Sequence, residues 1–208
     1  MSEFESLAVR QFYPARTVLL REGENPSSVM LLHEGRVKVS LNSSEGRRLI
    51  LGFSGPGEFL GLTSAVSGFP YEITAETQFG CTISLFERRS FLEFLMCYPI
   101  AFHNATCQLG LEFKRTTQQL RTLGLTSTAQ AKLARLLIDW CPEKEHAGGG
   151  TQIQCPLTHG EIGEHIGVSR ETVTRSMSDF KNMGLLEQHG TILVIRNRRA
   201  LEVYASAC

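Results

Sequence analysis

Hydrophobic and polar residues alternate along the first half of the chain in short runs that glycine-marked turns separate. Val37–Leu41 alternates with period two, Asn42–Gly46 interrupts the pattern, and Leu49–Phe53 follows the break. Cys81–Phe86 has the same texture further along. Many short runs of this kind at regular spacing are typical of an antiparallel β-sandwich or β-barrel. The pattern therefore predicts a β-rich domain over residues 1–98.

The spacing of apolar residues changes after Pro99, where they recur at alternating steps of four and three. This spacing is typical of a coiled-coil seam and predicts a dimerisation helix over residues 99–123. Packing of that helix on its own β-domain is the alternative. We expect Gly124 to interrupt the helix and Thr126 or Ser127 to cap the next one. The predicted seam comprises Phe102, Thr106, Leu109, Phe113, Thr116, Leu120 and Leu123.

A third pattern follows within residues 124–208, which we take as the last domain. Thr158 and Glu161 have the T-x-x-E spacing of a capping box at the start of a short helix. Gly167 then marks a tight turn, and Ser169 has the position of a cap on a second helix. Two helices joined by so short a turn predict a helix-turn-helix.

The second of these helices separates its apolar and polar residues onto two faces. Val173, Met177 and Phe180 repeat at helical spacing and predict the buried face. Arginine can donate two hydrogen bonds to guanine and glutamate can accept one from cytosine, so the polar face suits readout of the DNA major groove. A solvated salt-bridge surface is the alternative. Two strand-like runs that flank His189–Gly190 predict a β-hairpin wing. The candidate DNA-binding residues are Thr158, Ser169, Arg170, Glu171, Thr174, Arg175 and His189.

The stretch from Glu161 to Arg175 resembles the recognition motif of the family that contains the cyclic AMP receptor protein and the fumarate and nitrate reduction regulator (Crp/Fnr). His189–Val194 resembles the wing of that family. The resemblance covers the chain in order and implies an α+β fold with a jelly-roll β-barrel, a dimerisation helix and a winged helix-turn-helix. It also implies a homodimer on double-stranded DNA with a TGTGA-like half-site, read by Arg170, Glu171 and Arg175. RNA polymerase is a further partner that the family implies.

The run Gly55–Gly61 resembles the start of the effector cassette of the same family, which often binds cyclic AMP. The resemblance implies that Glu58 accepts a hydrogen bond from a ribose hydroxyl and that N–H groups near Gly57 approach a phosphate. Phe59 belongs to the same Gly-x-Gly-Glu-Phe pattern. Thr116 and Thr117 match positions at which the receptor protein contacts adenine across the dimer.

The sequence departs from the family where the cassette should hold the cyclic phosphate. An alignment on the Cys81 strand places Tyr71 and Glu72 at the positions of the family's arginine and the serine or threonine that follows it. A carboxylate there reverses the charge that a bound anion needs. We therefore expect a regulator that cyclic AMP does not gate in the usual way. Cyclic-nucleotide control remains an alternative, and the effector is left open.

Net charge and the positions of cysteine and histidine bear on the partner and on the type of sensor. The formal net charge is zero, with 21 basic and 21 acidic residues, so positive charge for DNA must be local. No cysteine precedes Cys81, which argues against the family's iron–sulphur type of sensor. Haem held by His33 or His103, and redox chemistry at Cys97 or Cys107, stay open as sensing mechanisms.

The remaining function classes lack their motifs. The chain has no H-E-x-x-H, no G-x-S-x-G and no clustered metal ligands, so we expect neither an enzyme nor a metal site. The N-terminus is acidic and leads into no apolar run, and no apolar stretch approaches the ~20 residues of a membrane span. We expect a cytoplasmic protein that is not attached to a membrane.

Overall fold

The computed structural model describes residues 3–141, 150–155 and 157–206. It divides into two compact units, residues 1–116 and residues 117–208. One long helix passes from the first unit into the second.

The described residues of the first unit form eight short strands in two antiparallel sheets. In chain order they are β1 (Ala8–Tyr13), β2 (Val18–Leu20), β3 (Ser28–Glu34), β4 (Val37–Asn42), β5 (Arg48–Ser54), β6 (Phe59–Leu60), β7 (Thr74–Thr77) and β8 (Cys81–Glu87). One sheet has the order β1-β8-β3-β6 and the other the order β2-β7-β4-β5. The predicted jelly-roll class is confirmed, but no strand pairing joins the two sheets within the described residues, so they form a sandwich and not a closed barrel.

In the part of this unit that the structure describes, four helices accompany the sheets: α1 (Glu3–Ser6), α2 (Leu62–Ser67), α3 (Arg88–Cys97) and α4 (Pro99–Leu125). The expected interruption of α4 at Gly124 is wrong, because the helix continues to Leu125. A single glycine inside a helix costs only about 1 kcal/mol relative to alanine, and Gly124 does not adopt a positive φ. The next helix is capped by Thr128, whose hydroxyl accepts from the Ala131 N–H at 3.1 Å, and not by Thr126 or Ser127.

The core of the first unit has two parts. Leu32, Val37 and Ile83 are among the side chains buried between the two sheets. Phe86 and Phe91 belong to a second cluster, in which β3 and β8 pack against α2, α3 and α4. Since each strand of this cluster presents alternate residues to opposite sides, the period-two pattern in the sequence follows from the two layers.

The second unit contains α5 (Ala129–Asp139), β9 (Thr151–Gln154), α6 (His159–Ile166), α7 (Arg170–Asn182), β10 (Leu186–His189), β11 (Ile192–Ile195) and α8 (Arg198–Ser206). The three strands form an antiparallel sheet in the order β10-β11-β9. The two-residue turn of the wing is Gly190–Thr191, so His189 ends a strand and does not lie in the turn as expected. Sequence reasoning missed β9 and α8. The sequence also predicts a surface connection within this domain at the glycine-rich run Ala147–Gly150, and residues 147–149 of that run lie outside the described residues.

No helix in the described ranges is long and apolar enough to cross a membrane.

Candidate nucleic-acid interface and ligand cavity

The turn between α6 and α7 is built from a capping box and two glycines. The Thr158 hydroxyl accepts from the Glu161 N–H at 3.2 Å, and the Thr158 N–H donates to the Glu161 carboxylate at 3.0 Å. Gly167 ends α6 with φ 69°, in the left-handed region that favours glycine. A Cβ on Gly163 would lie 2.6 Å from the carbonyl oxygen of Val168, so α6 admits no side chain there. These contacts fix the angle at which α7 leaves the turn.

The two faces of α7 are those that the sequence predicts. Val173, Met177 and Phe180 are buried inside the second unit, to which α7 belongs. Ser169 caps the helix, and its hydroxyl accepts from the Thr172 N–H at 3.2 Å. The candidate base-reading side chains all lie exposed on the opposite face: Arg170, Glu171, Thr174 and Arg175.

The charged side chains on this face, those of Arg170, Glu171 and Arg175, are exposed to solvent. The N–H group of Glu171 itself and then the Ser169 hydroxyl lower the pKa of the Glu171 carboxyl, so the group is ionised at neutral pH. Arg170 and Arg175 form no salt bridge within the described part of the chain. Their guanidinium groups are therefore available to an acceptor outside the protein.

Other polar side chains connect α7 to its neighbours. His159 at the start of α6 lies 2.9 Å from the Thr174 hydroxyl, measured from Nδ1. Burial, and then the charges of Lys181 and Arg170, lower the pKa of His159. Lys181 donates to Gln188 of the wing at 2.7 Å. Thr158 is thus adjacent to α7 through His159, whereas His189 lies in the wing, 3.5 Å from the Glu187 carboxylate.

Sequence reasoning missed His159, Lys181 and Gln188 as parts of this surface. The helical spacing of Lys181 from Arg170 and Thr174 on α7 was the available signal. The pairing of Lys181 with Gln188 depends on where the wing lies and could not be read from spacing.

The predicted seam on α4 is mostly exposed in the single chain. Phe102, Phe113 and Leu120 have exposed fractions of 58%, 76% and 64%. Leu109 instead packs on the core of the first unit, and Leu123 lies against Gly167 at the helix-turn-helix. Large apolar side chains in a regular row on a helix are typical of a coiled-coil contact surface.

The first unit contains a cavity of about 480 Å³ between β5, β6, the segment before β7, and α4. Five of the seven candidate effector residues line this cavity: Glu58, Phe59, Tyr71, Glu72 and Thr116. Gly57 and Thr117 do not. Tyr71 is 5% exposed, and its hydroxyl donates to the Ser28 carbonyl at 2.9 Å, so it forms a fixed wall.

The backbone near the glycine-rich turn is already hydrogen-bonded. The Gly57 N–H donates to the Leu32 carbonyl at 2.8 Å, and the Phe59 N–H donates to the Gln108 side chain at 2.8 Å. The Gly57 N–H thus extends the backbone pairing beside β3, and the Glu58 N–H donates to the Gly55 carbonyl at 3.2 Å. The approach of N–H groups near Gly57 to a phosphate, which the resemblance implies, stays a prediction.

The cavity holds an ion pair that sequence reasoning missed. The Arg115 guanidinium on α4 donates to the Glu58 carboxylate at 2.7 Å, and this bond raises the pKa of Arg115. Glu58 is therefore already paired within the protein. The carboxylate that the resemblance assigns to a ribose hydroxyl thus also joins the segment before β6 to α4.

Glu112 lies one helical turn before Arg115 on the same face of α4. Its carboxylate accepts from Gln108 at 2.7 Å and from the Thr63 hydroxyl at 3.2 Å. Burial is the largest influence on Glu112 and raises the pKa of its carboxyl. The polar residues Gln108, Glu112 and Arg115 repeat at steps of four and three beside the seam, a spacing that could have identified this stripe.

The histidines considered for haem have polar neighbours. His33 Nε2 lies 2.7 Å from the Ser84 hydroxyl, and Arg10 lies 3.0 Å from His33 Nδ1. Burial is the main cause that lowers the pKa of His33. His103 Nε2 lies 3.5 Å from the thiol of Cys107, which is exposed, as is Cys97. No group of three metal-ligating side chains occurs among the described residues.

Two domain families match the chain. Residues 10–98 match the cyclic nucleotide-binding domain, and residues 131–204 match the Crp-like helix-turn-helix domain. The chain is 30% identical over 185 residues to the transcriptional activatory protein AadR of Rhodopseudomonas palustris, which covers 88% of this chain and 76% of AadR. It is 27% identical over 188 residues to the cAMP-activated global transcriptional regulator CRP of Haemophilus influenzae, covering 90% of this chain and 84% of that protein.

Solved structures have the same fold over nearly the whole chain. FixK2 from Bradyrhizobium japonicum superimposes with a TM-score of 0.82 at 25% identity, covering 97% of this chain and 98% of FixK2. A CooA variant from Carboxydothermus hydrogenoformans superimposes with a TM-score of 0.85 at 22% identity, covering 99% of this chain and 91% of CooA. At that identity the second likeness concerns the fold alone.

Proposed function

The chain belongs to the Crp/Fnr family of DNA-binding transcription regulators, and from this premise we propose that it acts as a homodimer on a palindromic TGTGA-like site. One observation carries the proposal. The exposed face of α7 presents Arg170, Glu171 and Arg175 on a helix that a capping box, a tight turn and a wing hold in place. This arrangement matches the chemistry of base edges in the major groove.

Each residue has a proposed role in readout. Arg170 and Arg175 donate to guanine, and Glu171 accepts from the amino group of cytosine. Thr174 supports the same face, and Ser169 at the N-terminus of α7 lies where backbone N–H groups bind a phosphate. Thr158 and His189 contact the DNA backbone from α6 and from the wing.

The dimer follows from the seam on α4. We assign residues 1–98 to a sensing domain, 99–123 to the dimerisation helix and 124–208 to DNA binding. A symmetric pair of α4 helices buries Phe102, Phe113 and Leu120 and presents two α7 helices to half-sites one DNA turn apart, ~34 Å. The protein then acts in the cytoplasm, with RNA polymerase as a further partner when it activates.

The effector is proposed not to be cyclic AMP in the usual arrangement. Glu72 stands where the family's cassette places a phosphate-binding side chain, and the Gly57 N–H is already used. A cyclic-nucleotide-dependent regulator is the second candidate, favoured by the match of residues 10–98 to the cyclic nucleotide-binding domain. Haem or thiol redox sensing within the same fold is the third.

Fluorescence anisotropy of a labelled duplex tests the function. The duplex carries two TGTGA-like half-sites, and a scrambled duplex at the same salt concentration is the control, because phosphate contacts make affinity depend on salt. We expect tight binding to the palindrome, weak binding to the scrambled duplex and no tightening by cyclic AMP. Equal affinity for both duplexes contradicts the proposed site, and a marked gain with cyclic AMP favours the second candidate.

A further inference from the structure

The cavity of the first unit has a charge opposite to the one that an anionic effector needs. Three carboxylates line it, from Glu58, Glu72 and Glu112, and they come from three different segments of the chain. Among the described residues that line it, Arg115 is the single cation, and it is bonded to Glu58 at 2.7 Å. Neither Glu72 nor Glu112 forms a salt bridge within the described part of the chain, and the charge of Arg115 is the smallest of the influences on the pKa of Glu112. An anion in this cavity meets uncompensated negative charge.

Much of the remaining wall is apolar and aromatic. Phe53, Phe59, Tyr71 and Phe113 line the cavity together with aliphatic side chains from β5 and α4. Aromatic faces attract cations, particularly ammonium groups from which water is excluded. A volume of about 480 Å³ is within the usual range for small-molecule sites. The wall therefore suits a compact organic body with a positively charged end.

Glu112 is the carboxylate best placed to hold such a charge. Gln108 and Thr63 donate to its two oxygens and fix the orientation of the group. The side chain is largely buried, and this burial raises the pKa of its carboxyl. A ligand cation beside Glu112 offsets the cost of keeping that carboxylate ionised away from water. Glu72, which is exposed, adds negative charge where the cavity opens.

We propose that this cavity binds a cationic amphiphile, an apolar molecule with one ammonium group, and that the ammonium pairs with Glu112 and is attracted by Glu72. The inference rests on the proposed function, in which the first unit senses an effector. It assigns the chemical class of that effector from the residues of this chain. Arg115 keeps its bond to Glu58, so the single ammonium group offsets the charge of Glu112, and Glu72 adds attraction from the exposed side of the cavity.

Three probes with the same ring and different end groups test the proposal. Tryptamine carries an ammonium, tryptophol a hydroxyl and indole-3-acetate a carboxylate on the same indole. Isothermal titration calorimetry of each into the full-length protein gives the affinities. We expect tryptamine to bind roughly tenfold or more tightly than tryptophol, and indole-3-acetate to bind more weakly than tryptophol. Tighter binding of indole-3-acetate or of cyclic AMP, or no saturable binding of tryptamine, overturns the proposal.

Variants locate the charge that selects the probe. Glu112→Gln keeps the shape of the side chain and one accepting oxygen, which can still accept from Gln108, while its NH2 group can donate to the Thr63 hydroxyl. We expect this variant to remove most of the preference for tryptamine over tryptophol. Glu72→Gln should reduce that preference in part, so the proposal can be tested even if Glu112→Gln unfolds. Glu45→Gln, in an exposed turn, is the matched control and should leave all three affinities unchanged. A preference that survives both cavity variants contradicts the assignment.

The outcome is separate from that of the DNA experiment. Specific binding to the palindrome without any preference for tryptamine contradicts the effector class and leaves the regulator intact. A preference for tryptamine with equal binding to both duplexes contradicts the proposed operator and leaves the cavity assignment intact.

Discussion

The polar side chains of α7 differ in the bonds that they already form within the protein. The Thr174 hydroxyl donates to the Arg170 carbonyl at 3.0 Å and lies beside His159. Arg170 and Arg175 form no salt bridge within the described ranges. Contacts with a molecule outside the protein therefore decide which rotamers these two side chains adopt. Specificity should depend on the arginines more than on Thr174.

Removal of one guanidinium should therefore cost specificity. We expect Arg175→Ala to weaken binding to the palindrome by about 1–3 kcal/mol and to change binding to a scrambled duplex little, because a bidentate contact with guanine is lost. Anisotropy titrations of both duplexes measure the difference. Arg199→Ala is the matched control, an exposed arginine on α8 instead of α7. Equal losses on the two duplexes contradict the base-reading role of Arg175.

The ionisation of Glu112 should also appear in the stability of the protein. Burial raises the pKa of this carboxyl in the folded chain. Below the ordinary glutamate pKa the group is protonated in the folded and the unfolded chain alike, and above the raised pKa the folded chain bears the cost of a buried charge. At acidic pH, where Glu112 is protonated, the folded chain does not bear this cost. The contribution of Glu112 to the free energy of unfolding is therefore lost as the pH rises through the pKa of the group in the folded chain.

Glu112→Gln removes this dependence. We expect the variant to raise the melting temperature more at pH 8 than at pH 4, since only the ionised group is penalised by burial. Thermal unfolding at the two pH values measures the effect, and Glu45→Gln, whose carboxylate is exposed, should show no such difference. A larger gain at pH 4 than at pH 8 contradicts the raised pKa.

At the scale of elements, the helix-turn-helix depends on how closely α6 approaches the turn after it. The Gly163 Cα faces the Val168 carbonyl at a distance that leaves no room for a methyl group. Gly160, in the first turn of the same helix, has only the Thr158 hydroxyl nearby, at 3.7 Å from a notional Cβ. Both glycines lie in α6, but only Gly160 leaves room for a side chain.

Alanine at the two positions should have opposite effects. Gly163→Ala should destabilise the second unit by about 1–3 kcal/mol through overpacking, whereas Gly160→Ala should be neutral or stabilise it by up to about 1 kcal/mol through helix propensity. The single tryptophan, Trp140, lies in the second unit, so its fluorescence in a urea titration reports the unfolding of that unit. Similar destabilisation by both substitutions contradicts the role given to Gly163.

The elements also show what sequence periodicity can predict. The alternation of Val37–Leu41, the faces of α7 and the length of α4 to within two residues are local properties, and the structure has them. The strand β9 was missed because it depends on pairing with β11, which is distant in sequence. The end of α4 was placed two residues too early because Gly124 weakens the helix only slightly. The Glu58–Arg115 ion pair joins residues 57 positions apart, and no spacing rule connects them.

At the scale of the whole molecule, the exposed row on α4 sets the expected assembly. The steps of four and three between Phe102 and Leu123 keep the row on one side of a helix over several turns. Leu111 is also exposed on α4, but it lies outside this row. The exposed apolar residues of α4 are thus of two kinds. Leu120 belongs to the predicted seam and is expected to contact a second chain, whereas Leu111 lies outside the seam.

A charge in the seam should therefore break the dimer. We expect Leu120→Glu to weaken dimerisation by roughly 1000-fold, because each of two symmetric positions loses about 2 kcal/mol of apolar packing. Sedimentation equilibrium measures the constant, and the palindrome should then bind with much lower affinity. Leu111→Glu is the matched control and should leave the dimer intact. A dimer that withstands Leu120→Glu contradicts the seam.

The cavity carboxylates and the arginines proposed to read bases have separate places in the chain, with a consequence for how such a regulator changes over generations. Glu58, Glu72 and Glu112 share no helix or strand with α7, and none of them belongs to the buried clusters of the first unit. On the proposed function, one or two substitutions in the cavity can therefore alter the signal while the operator sequence stays the same. A lineage can connect an existing set of promoters to a new metabolite without re-evolving each promoter.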